Sequence, residues 1–107
     1  MQPLNPGPLA LDEIQRYVAE MEEERGFSGS PMLEQALRLA EETGEVCKAV
    51  RKATGMPIDP ASVTGSIGEE LADVLIYLAA IANRAGVDLA DALRAKEQIN
   101  ETRVWTS

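Results

Sequence analysis

Glu69-Glu70-Leu71-Ala72-Asp73-Val74-Leu75-Ile76-Tyr77-Leu78-Ala79-Ala80-Ile81-Ala82 is the stretch that decides the fold. Wound at about 3.6 residues per turn, the run from Val74 to Ala82 is apolar on every side, which demands burial nearly all round rather than one solvated flank. The run is far shorter than the ~20 residues of a membrane span, so it reads as a core helix. Glu70 and Asp73 stand three apart at its mouth, on adjoining positions of one face. This helix is expected over roughly 66–84, ending at Gly86.

Working outward, Gly and Pro mark off three more helices. One is expected from about Leu11 to Arg25, with Leu11, Ile14, Val18 and Met21 at helical spacing. After Gly26 and Gly29, Ser30 as cap with Pro31 in the first turn starts a second, to about Ala53. A loop with Gly55, Pro57, Pro60 and Gly65 precedes the core helix. Asp88 is the expected cap of the last, about Leu89 to Arg103. Strand-like alternation, repeats and low-complexity tracts are absent. The fold class is therefore all-α, a four-helix bundle over residues 11–107, with residues 1–10 a flexible lead-in. So short a chain has too few helices to cover an all-round apolar helix, and the core is expected to be completed by homo-oligomerisation.

Composition narrows the function. Eighteen acidic against ten basic residues leave a formal charge of −8, which opposes polymeric nucleic acid and anionic membrane. The single cysteine, Cys47, can form no internal disulfide, which fits a reducing compartment and makes the cytoplasm the expected location. There is no histidine, so Ser/His and Cys/His nucleophilic machinery, the usual zinc sites and Glu-x-x-His di-iron bundles are excluded.

On the second helix Leu33, Ala36, Leu37, Ala40, Gly44 and Cys47 share an apolar stripe. Glu41, Glu42 and Glu45 fall together in an arc of roughly 100° beside it. Gly44, a residue costing ~1 kcal/mol relative to alanine inside a helix, marks either a close helix approach or a tolerated weak spot. Paired carboxylates on two neighbouring helices make a hard, oxygen-only site suited to Mg²⁺ or Mn²⁺. On a bare helix surface Glu45 would instead pair with Lys48 and Glu34 with Arg38, each worth only ~0.2–0.5 kcal/mol. The fourth helix weighs against that simpler reading. Its stripe of Leu89, Ala92, Leu93, Lys96, Ile99, Asn100 and Arg103 reads as plain core in its N-terminal half but turns cationic in its C-terminal half, where leucines would be expected, so an anion should lie opposite.

Glu41-Glu42-Thr43-Gly44-Glu45-Val46 followed by Glu69-Glu70-Leu71-Ala72-Asp73-Val74-Leu75 resembles the two-part acidic motif of the MazG-like, all-α nucleoside triphosphate pyrophosphohydrolases. Lys96, Asn100 and Arg103 are similar to the basic set on that family's last core helix, so the resemblance covers about Pro31 to Arg103. It implies a bundle that forms dimers or tetramers, with the nucleoside triphosphate in a cleft near the interface. It also implies Mg²⁺ held by Glu42, Glu45, Glu70 and Asp73, with Mn²⁺ as a possible substitute. Glu41 would orient or deprotonate the attacking water, or share a second ion, and Lys96, Asn100 and Arg103 would hold phosphates. The chain departs from the family where aromatics stack on the base: only Phe27 stands in the connection before the motif helix, and Trp105 lies beyond the last one. The alternatives are a phosphoribosyl-ATP pyrophosphatase of the same superfamily and a non-enzymatic helical interaction module. Against the first, the segment Ala82 to Leu89 is more similar to the nucleotide house-cleaning branch.

Overall fold

The computed structural model describes residues 1–103. It comprises α1 (Leu11–Arg25), α2 (Met32–Ala53), α3 (Ile67–Ala85) and α4 (Leu89–Glu101), with no strand among the described residues. Each helix end follows from local chemistry. Gly26 and Gly86 close α1 and α3 in the left-handed region, at φ 80° and 68°, which glycine adopts without penalty. Ser66 caps α3 by accepting the Glu69 N–H at 3.1 Å, and Asp88 caps α4 by accepting that of Asp91 at 2.9 Å. The start of α2 differs from expectation by one residue. Pro31 itself is the cap, without a side-chain bond, and the Ser30 carbonyl is claimed instead by Arg84.

The core lies where α1 crosses α3: Val18 and Met21 meet Ala79 and Ala80, with Ile14, Tyr17 and Ile76 packed around them. Small residues on α3 allow this close approach. Gln15 ties α1 to the α3–α4 turn, donating to Asn83 Oδ1 at 3.1 Å and to the Val87 carbonyl at 2.8 Å, and accepting the Leu89 N–H at 2.9 Å. A buried ion pair crosses the same interface. Arg84 grips both carboxylate oxygens of Glu22 and donates to the carbonyls of Ser30 (2.7 Å), Phe27 (3.1 Å) and Ala80 (3.0 Å).

Two expectations are corrected here. The face of α2 that packs on α3 carries Gln35, Leu39, Glu42, Val46 and Ala49, at alternating steps of four and three. The stripe of Leu33, Ala36, Leu37, Ala40, Gly44 and Cys47 points away from the chain, with Leu33 70% and Leu37 58% exposed. α2 has two apolar flanks, and α3 takes only one. No atom of the chain would come within 4 Å of a Cβ at Gly44, so no helix of this copy passes it closely. Likewise α4 has no buried residue and packs mainly on α1, so its N-terminal half is not core in the single chain, and Leu93 is 56% exposed.

The exposed apolar surface is large. Leu71, Leu75 and Leu78 of α3 remain outside, as expected of a helix that one copy cannot cover. The accessible surface is 7708 Å², against about 5,800 Å² for a compact monomer of this mass. The radius of gyration is 16.5 Å, against roughly 13 Å for a compact domain of this length.

Candidate metal centre and cleft

Packing α2 against α3 brings Glu42, Glu70 and Asp73 together, each with a carboxylate oxygen within 4.8 Å of the others. Glu42 is half-buried, Glu70 buried and Asp73 exposed, so the group is open on one side. The loop before α3 holds Glu70 in place: the Gly65 N–H donates to its Oε1 at 3.0 Å. A Cβ at Gly65 would fall 2.6 Å from that oxygen, so any larger residue there would displace the Glu70 carboxylate. Sequence reading had placed Gly65 merely in a loop; its Gly-Ser start to an acidic helix was the available signal.

The other expected site residues lie apart from this triad. Glu45, one turn beyond Glu42, is bridged by Lys48 at 3.3 Å, and Glu34 by Arg38 at 3.1 Å, as simple helix pairing predicts. Glu41 is exposed on the outer side of α2. Lys96 is exposed and makes no ion pair among the described residues, while Asn100 donates to Glu97 at 2.9 Å. Lys96 and Asn100 sit on α4, which makes no substantial contact with α2 or α3, and Arg103, expected in the same helix, lies two residues beyond its end. Among the described residues, α4 thus does not pack against the helices that carry the acidic group. Trp105 falls outside the described residues.

Burial first, then the charges of Asp73, Glu70, Glu45 and Glu41, raise the Glu42 carboxyl above its ordinary range. Three crowded carboxylates with no basic partner among them form a donor set that fits a hard divalent cation. Metal-free, the raised folded-state pKa means that ionised Glu42 disfavours the fold above that pKa, and that this penalty fades as pH falls through it to the unfolded value. Glu42→Gln should therefore melt higher than the parent in EDTA at neutral pH, with the gap closing towards the ordinary carboxylate range. Equal melting curves at neutral pH would contradict the crowding.

Beside the triad, α1, α2 and α3 enclose a cleft of about 430 Å³. Asp73 lines it, so the acidic group opens directly onto it. Val18, Met21, Ile76 and Ala80 give it apolar walls, and the rings of Phe27 and Tyr77 border it. Gln35, Glu34 and Arg38 of α2 line it too. From sequence Glu34 and Arg38 were read only as a helix ion pair and Gln35 was not picked out, although it lies on the packed face of α2, where an apolar residue would be expected.

An all-α domain with carboxylates from two packed helices beside a partly apolar cleft offers a hard-cation donor set at the edge of a ligand-sized space. The chain matches the family model described as the MazG nucleotide pyrophosphohydrolase domain over residues 32–103. It is also similar to two crystal structures of iMazG from Vibrio DAT 722. The Ctag form aligns with TM-score 0.68 at 31% identity, covering 88% of this chain and 100% of that one. The Ntag form aligns with TM-score 0.65 at 30% identity, covering 92% and 100%. No curated protein matched. The chain belongs to the MazG nucleotide pyrophosphohydrolase family.

Proposed function

We propose that the chain hydrolyses nucleoside triphosphates to monophosphate and pyrophosphate in a Mg²⁺-dependent reaction, as a nucleotide-pool house-cleaning enzyme. The observation that carries this is the convergence of Glu42, Glu70 and Asp73 within 4.8 Å at the edge of the cleft. Those three, joined by Glu45 from the next turn of α2, would hold the ion. Bound there, Mg²⁺ would supply charge neutralisation for the phosphates and acidify a water. Glu41 and its neighbours are the only bases at hand in a chain without histidine, so one carboxylate takes the proton of the attacking water. The test is a pyrophosphate-release screen over ribo- and deoxynucleoside triphosphates with Mg²⁺ or Mn²⁺. Release of pyrophosphate from none of them would end the proposal.

The phosphates would be held by Lys96, Asn100 and Arg103, and this requires assembly. The exposed stripes of α2, α3 and α4 together leave more apolar surface than a lone domain tolerates, and a second copy of the chain covers it most simply. Sedimentation at micromolar concentration should show a dimer or tetramer; a folded, active monomer would contradict this. Because Lys96 makes no ion pair among the described residues, it has no partner there to lose. Lys96→Met, which keeps the stem and deletes the charge, should leave the melting temperature unchanged or higher while kcat/KM falls roughly 100-fold. A variant that melts early yet turns over normally would assign the lysine a structural role instead.

A further inference from the structure

The cleft contains one polar group whose presence the fold does not explain. Gln35 is 6% exposed and faces α3 from the packed side of α2. Its carboxamide makes no hydrogen bond among the described residues. Every side-chain nitrogen or oxygen fully shut off from solvent does have a partner, so the amide is not sealed in the core but opens into the cleft it lines. In the free chain only water entering the cleft can pair the amide, and an aliphatic residue would pack as well without needing that water. Such a group persists where a ligand completes it.

The surroundings say which part of a ligand. Asp73, at one side of the cleft, belongs to the acidic triad. Away from it the walls are apolar, with the rings of Phe27 and Tyr77 available to a flat heterocycle. A carboxamide offers an N–H donor beside a carbonyl acceptor. Each nucleobase offers the complementary pair at its ring-nitrogen edge: N–H beside C=O in uracil, thymine and guanine, and ring N beside an amino group in cytosine and adenine. Rotating the amide by half a turn accommodates either order.

Resting on the proposed hydrolysis, we infer that Gln35 determines specificity by bonding the ring-nitrogen edge of the base. The site takes nucleotides whose edge is free and rejects those alkylated at that nitrogen. Phe27 and Tyr77 supply sequence-tolerant stacking; Gln35 supplies the reading.

The experiment is a substrate-by-mutation cycle with Mg²⁺ and the full chain. Parent and Gln35→Leu are compared on the best of dTTP, dCTP, dATP and dGTP and on its analogue methylated at that ring nitrogen. The parent should prefer the free edge by at least about 100-fold in kcat/KM, since a site built to bond a polar edge discriminates strongly against its loss. Gln35→Leu should lose that preference, chiefly through KM on the unmethylated substrate, with its melting temperature kept or raised. Gln35→Met serves if the branched side chain does not fit. An unchanged methylation preference in a folded variant overturns the inference. So does a change in ribose-against-deoxyribose selection alone, which would place the sugar at Gln35. If the parent hydrolyses no triphosphate, the proposed function fails first; turnover with an unshifted preference fails only the Gln35 assignment.

Discussion

Asp73→Asn should lower kcat/KM by roughly 10³-fold while leaving the fold intact. Asp73 is exposed, and it makes no hydrogen bond or ion pair among the described residues. It therefore has little structural duty, and removing its charge eases the crowding that raises Glu42. The metal-free variant should melt no lower than the parent. The same side chain belongs to the acidic triad and lines the cleft, so it stands where a cation and a triphosphate would meet. Asparagine keeps the shape but not the charge that neutralises the ion. Steady-state kinetics across a Mg²⁺ titration check this, with thermal melting in EDTA as the fold control. Full activity at limiting Mg²⁺ would remove Asp73 from the site.

What could be read from the sequence was largely what neighbouring residues decide. α1 ends at Arg25 because Gly26 can turn left-handed, and α4 begins at Leu89 because Asp88 can cap it. Helical spacing alone put Glu70 and Asp73 on one face. What eluded sequence reading depended on long-range choice. α2 has two apolar flanks of similar strength, and only packing shows that α3 takes the one bearing Gln35 and Ala49. The pairing of Gly65 with Glu70 needs the path of a loop, and the pairing of Glu22 with Arg84 spans 62 residues of chain. The basic stripe of α4 was legible as an anomaly, yet among the described residues neither α2 nor α3 makes substantial contact with that helix. Periodicity shows that a face will be covered, but not which copy covers it.

The buried Glu22–Arg84 pair should give the largest stability effect. Arg84→Met leaves the Glu22 carboxylate, whose side chain is 8% exposed, without its only paired cation among the described residues. It also strips donors from the carbonyls of Ser30, Phe27 and Ala80. Removing one partner of a buried pair costs about 3–5 kcal/mol, and at about 4–8 °C per kcal/mol the melting temperature should drop by at least about 12 °C. A fall of only a few degrees would show that the pair is solvated. Replacing both partners separates two roles. Glu22→Leu with Arg84→Met exchanges the ion pair for apolar packing of similar bulk, and much of the lost stability should return. The Ser30 carbonyl would still lack the Arg84 donor and the Phe27 carbonyl would keep only the Ser30 N–H, so the segment that sets Phe27 at the cleft would stay less firmly tied. The double variant should then melt near the parent temperature but keep a raised KM for nucleotide, with kcat much less affected. If stability and KM recover together, Arg84 serves only the core. If stability returns while KM stays high, Arg84 is the residue through which the α1–α3 interface positions the wall of the cleft.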